Sequence, residues 1–361
     1  MENALFTLLR IGLENETPTE QSVAEISALT KDDWQKLRLL SEKQSVMAIV
    51  LDGQNRIHDS EVGVGDTMPQ ALRLDWIGNV LMVEQSNRQQ TVVMKELAGL
   101  WKQNGCKVMV MKGQANGIFY PHPEHRSPGD IDCYLFKDYA VGNEIARVAG
   151  ANLDESWYKH SVISYKGETF ENHQYFVHTR DGKRGKRLEK ELEDALSVQD
   201  SSFTVQGDVI FPPVQWNAMF LTYHACAHFI SEGLRLKQIL DWAMFLKAHQ
   251  NDVDWDAFYA FCERNHLRRF ADAMTAIAVK YLGIIIKNPA VVCDSPFTDK
   301  ILQSALYDED YVFGSGKGNW YNRFHLIRNM FHYRWKYEEI YQTSVWKQLW
   351  WYATGFIFKT E

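Results

Sequence analysis

Apolar residues recur at spacings of three and four through the first hundred positions, in DDWQKLRLLSEKQSVMAIVL and QALRLDWIGNVLMVEQSNRQQTVVMKELAGLWKQ. That is the period of a helix with one buried face. Asn104-Gly105 is the expected stop of the second segment, because Gly readily takes the left-handed conformation that closes a helix. The pattern then changes. Lys107-Val-Met-Val-Met111 is short, continuous and partly β-branched, which suits a buried strand. A short helix is expected over Gln114–Tyr120, followed by the loop PHPEHRSPGD, where Pro121, Pro123 and Pro128 forbid helix or central strand. Asp130–Phe136 alternates polar and apolar residues like a half-buried strand, and Lys137–Gly150 reads as helix. Ser156–Tyr165 and Thr169–His178 read as strands around a turn at Lys166-Gly167-Glu168. From Pro212-Pro213 onward three long stretches regain the helical period: VQWNAMFLTYHACAHFISEG, RLKQILDWAMFLKAH and DAFYAFCERNHLRRFADAMTAIAVKYLG. The pattern predicts an α+β chain with a helical segment over 1–104, a small mixed-sheet α/β core over 105–210 and a helical domain over 211–361.

Composition narrows the function classes. With 45% hydrophobic and 24% charged residues, the chain is neither disordered nor fibrous. Its 46 acids against 39 bases give a net charge of −7, which does not suit coating nucleic acid through bulk charge. The basic run Arg180, Lys183, Arg184, Lys186 and Arg187 reads as a solvated loop, or alternatively as one that closes over an anionic substrate. Five cysteines, odd in number and widely spaced, fit neither a disulfide framework nor a zinc knuckle, so reduced thiols in a cytoplasm are expected. No secretory signal and no uncharged apolar run of about 18 residues is visible, so no membrane span is expected. The aromatic tail Val345–Phe358 reads as a packed terminal helix.

The stretch richest in chemistry joins Met111-Lys112-Gly113-Gln114 to Arg126-Ser-Pro-Gly-Asp130-Ile-Asp132. Two residues apart on a strand, Asp130 and Asp132 project from one face about 6.5–7 Å apart. Carboxylates so placed hold hard divalent cations, which also grip phosphates. A Gly between strand and helix lets backbone N–H groups approach a phosphate, and a helix start favours negative charge. Roughly six acid-x-acid triplets arise by chance among 46 acids in 361 residues, so the strand–turn–helix–strand context distinguishes this one. Glu171 lies on a later strand candidate with Glu168 at the turn before it, and His173 reads as a packing residue. Like charges on one face repel, so neutralising Asp130 and Asp132 together is expected to leave the fold intact.

Three other patterns are weighed and set lower. His224-x-x-x-His228 has metal-ligand spacing but lacks the metalloprotease Glu. It reads as structural hydrogen bonding with Asp241 as a candidate partner; a metal-dependent hydrolase built on these three is the lesser alternative. Asp252, Asp254, Asp256 and Glu263 mimic a calcium loop, but Ala257 stands where that loop needs Gly, so a helix N-cap at Asp254 or Asp256 is expected. Gly314-Ser-Gly-Lys-Gly318 lacks phosphate-loop spacing and reads as a connector.

The stretch VMVMKGQANGIFYPHPEHRSPGDIDCYLF resembles the signature of the bacterial uncharacterised nucleotidyltransferase family, within the polymerase-beta-like nucleotidyltransferase superfamily. The shared features are a strand ending in Lys-Gly, a short helix with a Tyr-Pro turn, an Arg, and Asp-Ile-Asp on the next strand. The resemblance continues in Tyr223–His228 and Leu236–Asp241. It implies transfer of a nucleoside monophosphate from a nucleoside triphosphate to an acceptor of unknown kind (small molecule, protein or RNA). It further implies a third carboxylate from a later strand, Glu171 with Glu168 as runner-up, Mg²⁺ or Mn²⁺ on Asp130, Asp132 and Glu171, and the triphosphate at Lys112, Gly113, Gln114 and Arg126. Two departures stand out: Gly113 is followed by Gln114 where the superfamily has Gly-Ser or Gly-Gly, and Asp130 comes 17 positions after Gly113, a longer interval than usual. A non-catalytic nucleotide-binding or regulatory protein on the same fold is the rival reading.

Overall fold

The computed structural model describes residues 2–60, 67–179, 182–198, 203–231, 233–288, 291–292, 294–308 and 319–350. Five helices come first: α1 (Glu2–Gly12), α2 (Glu20–Ser27), α3 (Lys31–Lys43), α4 (Met47–His58) and α5 (Gln70–Gln103). The mixed region follows as β1 (Met109–Met111), α6 (Gly113–Gly117), β2 (Ile131–Tyr134), α7 (Tyr139–Val148), β3 (Asn152–Asp154), β4 (His160–Tyr165), β5 (Glu168–His173), α8 (Gly182–Val198), β6 (Thr204–Gln206) and β7 (Val209–Phe211). Then come α9 (Val214–Ser231), α10 (Leu236–His249), α11 (Trp255–Arg264), α12 (Arg268–Leu282), α13 (Pro296–Tyr307), α14 (Asn319–His332) and α15 (Arg334–Glu339). The fold is α+β, with one seven-stranded mixed sheet in the middle of the chain and helices on either side.

Local chemistry explains where two long periodic stretches break. Ser45 takes φ +57° and separates α3 from α4; His266 takes φ +58° and separates α11 from α12. At the start of α3, the Asp33 N–H donates to Thr30 Oγ1 at 3.2 Å and the Thr30 N–H donates to Asp33 Oδ2 at 3.0 Å, a reciprocal cap. The acidic cluster before α11 also caps a helix: Asp254 Oδ1 accepts the Ala257 N–H at 3.0 Å.

The basic run read as a loop is instead, from residue 182, the first turns of α8. Leu188, Leu192 and Leu196 step by four and are buried, and that spacing carries the helix through the charges. Arg184 lies over the Tyr341 ring at 3.4 Å, and Arg187 Nε donates to Asn265 Oδ1 at 3.3 Å. Arg180, Cys293, Gly314–Gly318 and the tail after residue 350 lie outside the described residues. Strands β3, β6 and β7 were not anticipated. Each is three residues long, too short for an alternation to register.

The strand order is β3-β4-β5-β2-β1-β7-β6; β2 runs parallel to β5 and β1 to β7, and the other neighbours are antiparallel. Alternation along the central strands divides the sheet into two faces. Val110, Ile131, Cys133, Ile163 and Phe170 join Val93, Leu97 and Trp101 of α5 in one core. Trp101 meets Phe170 edge-on at 6.2 Å and donates its indole N–H to Gly142 O at 3.0 Å. Met109 and Met111 join a larger core that draws on both ends of the chain, including Leu5, Trp216, Phe220, Phe245 and Phe270. Helix α1 packs on both α4 and α12. Among the described residues no helix is long and apolar enough to cross a membrane.

The Pro-rich loop is pinned to α10 by a buried charge pair. Arg126 Nε and Nη2 donate to the two oxygens of Asp241, each at 2.7 Å, and the Tyr120 hydroxyl donates to Asp241 Oδ1 at 2.8 Å. Asp241 therefore partners Arg126 and Tyr120, where the sequence pointed to His224 and His228. The loop needed a buried anion because it carries a buried guanidinium. Asp241→Ala leaves that guanidinium unpaired, and urea unfolding is expected to show a loss of about 3–5 kcal/mol. A loss below about 1 kcal/mol contradicts this role.

Candidate active site

Strand register gathers the site. Asp132 of β2 stands opposite Glu171 of β5, and His173 of β5 stands opposite His160 of β4. Residues two apart share a face, so Asp132, Glu171, His173 and His160 converge on the sheet face turned away from α5. Asp130 lies one residue before β2. Ligating oxygens of Asp130, Asp132 and Glu171 all lie within 4.8 Å of one another. Glu168 is not part of this group; it accepts a bond from Gln90 Nε2 at 3.4 Å.

Asp132 is 2% exposed, and its Oδ1 lies 2.6 Å from Lys112 Nζ and 2.9 Å from His173 Nε2. Burial alone would raise this carboxylic acid, but Lys112 and His173 outweigh it and hold the group well below the usual carboxylate range. The fixed negative charge of Asp132 raises the Asp130 carboxyl in turn. At Glu171, burial acts upward, while His173 and Lys112 prevail and lower it. Its Oε1 lies 3.4 Å from His160 Nε2 and its Oε2 3.5 Å from His173 Nε2. Burial pushes His160 down to about 4, which keeps that imidazole neutral near pH 7.

Lys112 is held by the backbone as well as by charge. It has φ +50° and ψ −124°, a strained conformation for a residue with a side chain, at the turn from β1 into α6. Its Nζ also lies 3.1 Å from His224 Nε2. Burial and the neighbouring Lys112 push His224 well below its ordinary value, so the neutral ring accepts from the ammonium. The His224 and His228 rings meet edge-on at 4.3 Å. Among the described residues, the groups of metal-ligating size are Asp130–Asp132–Glu171 and His160–Glu171–His173. The set His224, His228 and Asp241 is not among them, so the hydrolase alternative lacks a geometric basis.

The turn itself adjoins the acids. A Cβ added to Gly113 would meet nothing closer than Arg126 Nη1 and the Asp130 carbonyl oxygen, each at 3.8 Å. Both are ordinary van der Waals contacts, so packing does not demand Gly here, and they place the turn directly beside Arg126 and Asp130. Gln114 donates to Gln90 Oε1, and Gln90 donates to Gly129 O at 2.5 Å, tying the turn through α5 to the loop before Asp130. Gln114 Oε1 is buried without a partner. Arg126 lies beside the turn with its charge already matched by Asp241.

Four polar residues around the site escaped the sequence reading. His160 and Lys159 enter from the start of β4; burial and Lys112 push the Lys159 amine down. Glu189 of α8 accepts the Phe176 and Val177 N–H groups at 3.0 and 2.9 Å, and burial pushes it up to about 7. Lys237 donates to Pro128 O at 3.1 Å, and burial pushes it down to about 8. His173, read as packing, faces the acids. The period-two step from Glu171 to His173 was visible in the sequence; the pairing that brings His160 opposite it was not.

The profile of the uncharacterised nucleotidyltransferase family matches residues 30–283, from α3 to just past α12 and including every site residue named above. The chain belongs to this family. No curated protein and no solved structure gives a significant match.

The geometry revises the expectation that both aspartates can be neutralised without cost. Asp130 is exposed and repelled by Asp132, so Asp130→Asn is expected to leave unfolding stability unchanged or slightly higher. Asp132→Asn breaks a buried ion pair and is expected to cost about 3 kcal/mol. Because the Asp132 carboxyl is depressed in the folded state, its stabilisation is present above about pH 4 and is lost as pH falls below that. The two variants' unfolding curves at pH 7 and pH 3 check this. Equal losses for both, or an Asp132→Asn deficit that persists undiminished at pH 3, contradict it.

Proposed function

We propose that this chain transfers a nucleoside monophosphate from a nucleoside triphosphate to an acceptor, releasing pyrophosphate, in a core of residues 105–210. The supporting observation is the group of three carboxylates, Asp130, Asp132 and Glu171, within 4.8 Å of one another beside the turn at Gly113. Oxygen donors at this spacing suit Mg²⁺ or Mn²⁺, which would neutralise triphosphate charge and acidify the attacking hydroxyl.

The chain's own residues prepare that site. Lys112 and His173 keep Asp132 ionised. Gly113 and Gln114 offer the turn to the triphosphate, with Gln90 fixing the turn against the loop that delivers Asp130. Lys112 supplies positive charge at the phosphates, and Arg126 supports them from beneath the turn while its pair with Asp241 holds the loop in place. The free, buried thiols of Cys106, Cys133, Cys226 and Cys262 suit a reducing cytoplasm. Convergence of three acids on one sheet face argues against a binding-only role, since a scaffold gains nothing from their repulsion.

The test is transfer of label from α-labelled nucleoside triphosphates, with Mg²⁺, to pooled small-molecule, RNA and protein acceptors. Label transfer with pyrophosphate release is expected, reduced about a hundredfold or more in Asp130→Asn and in Glu171→Gln. Triphosphate binding without label on any acceptor would favour the non-catalytic reading.

A further inference from the structure

Two imidazoles stand beside the carboxylates. His173 Nδ1 lies 3.1 Å from the Tyr175 carbonyl oxygen, while its Nε2 lies 2.9 Å from Asp132 Oδ1 and 3.5 Å from Glu171 Oε2. Each of these three neighbours is a hydrogen-bond acceptor. A neutral imidazole has one N–H, so one ring nitrogen would point its lone pair at oxygen. With the Tyr175 carbonyl taking the Nδ1 proton, Nε2 is left as the donor atom, the arrangement metal-ligating histidines adopt. Across the sheet, His160 Nε2 approaches the other oxygen of the same carboxylate, Glu171 Oε1, at 3.4 Å.

We propose that His173 Nε2, Glu171 and His160 Nε2 form a second cation position beside the Asp130–Asp132 carboxylates, with Glu171 shared between the two and a borderline ion such as Mn²⁺ or Zn²⁺ favoured over Mg²⁺. It builds on the carboxylates assigned above to metal binding, but not on the transfer reaction. The spacing fits. Bonds of about 2.0–2.1 Å to one ion set neighbouring ligands about 3.0–3.4 Å apart, against 3.4 Å from Glu171 to His160 and 3.5 Å from Glu171 to His173, with all three residues' ligand atoms within 4.8 Å of one another. The ligand type sets the preference: imidazole nitrogen binds Mn²⁺, Co²⁺ and Zn²⁺, whereas Mg²⁺ takes oxygen and keeps its waters. His173 is the anchoring ligand because the Tyr175 carbonyl fixes its ring. His160 Nδ1 is buried without a partner, so that ring is the less firmly oriented of the two.

The test uses metal-free full-length protein and the metals alone, without nucleotide. Pulsed electron paramagnetic resonance of added Mn²⁺ is expected to show modulation from imidazole nitrogen. Calorimetric titration is expected to show Mn²⁺ and Zn²⁺ binding at least about tenfold more tightly than Mg²⁺. His173→Ala should abolish the nitrogen signal from its ring and weaken Zn²⁺ by more than the roughly ten- to hundredfold that loss of an outer partner costs; His160→Ala should weaken it less. The wild-type spectrum decides the matter even where a variant melts early. Mn²⁺ bound without nitrogen coupling, or equal affinity for Mg²⁺ and Mn²⁺, overturns the inference while leaving the carboxylate site standing. Absence of any metal binding overturns both. Nitrogen-coupled Mn²⁺ in a protein that transfers no label sustains the inference and refutes the transfer reading.

Discussion

The Asp132 carboxylate, withdrawn from water at the centre of a mixed sheet, has to be balanced by charge or the fold around it loses several kcal/mol. Lys112 and His173 provide that balance from two different strand ends, and His224 of α9 braces Lys112 from the helical layer. A strained turn at Lys112, the β2–β5 register and the docking of α9 are thereby coupled to one anion. The arrangement also leaves Asp130 and Glu171 with less compensation than Asp132 receives. In the proposed function, a bound cation would relieve this imbalance.

The second constraint is the long connection from α6 back to β2. Its Pro residues prevent regular structure, so it needs tertiary anchors, and the Arg126–Asp241–Tyr120 cluster and Gln90 supply them. Helices from both ends of the chain share one core, and α10 contributes Asp241 from within that layer. The helical segments thus position the acids although they contribute none of them.

Much of this was legible in the sequence where a pattern is local. The strand before Lys112, the Gly turn, Asp130 and Asp132, and the hairpin at Lys166-Gly167 each carry their own periodicity or turn chemistry, and Glu171 follows as an acid on the next strand. What escaped depends on pairing between distant segments. His160 becomes relevant only because β4 folds back on β5, and Asp241 meets Arg126 across 115 residues. The basic run was misjudged because its charges mask the Leu188–Leu192–Leu196 spacing that buries one side of α8. Strands β3 and β6, three residues each, have neither an alternation nor the continuous apolar run that marks β1.

We propose that Asp130, Asp132 and Glu171 hold metal against a triphosphate lying at the Gly113 turn. A crystal structure with a non-hydrolysable nucleoside triphosphate and Mn²⁺, with the ion located by its anomalous scattering, tests it most directly. Manganese is expected in contact with the three carboxylates, with the phosphates beside Gly113 and Lys112. Manganese away from all three acids, or a triphosphate bound elsewhere on the molecule, would contradict it.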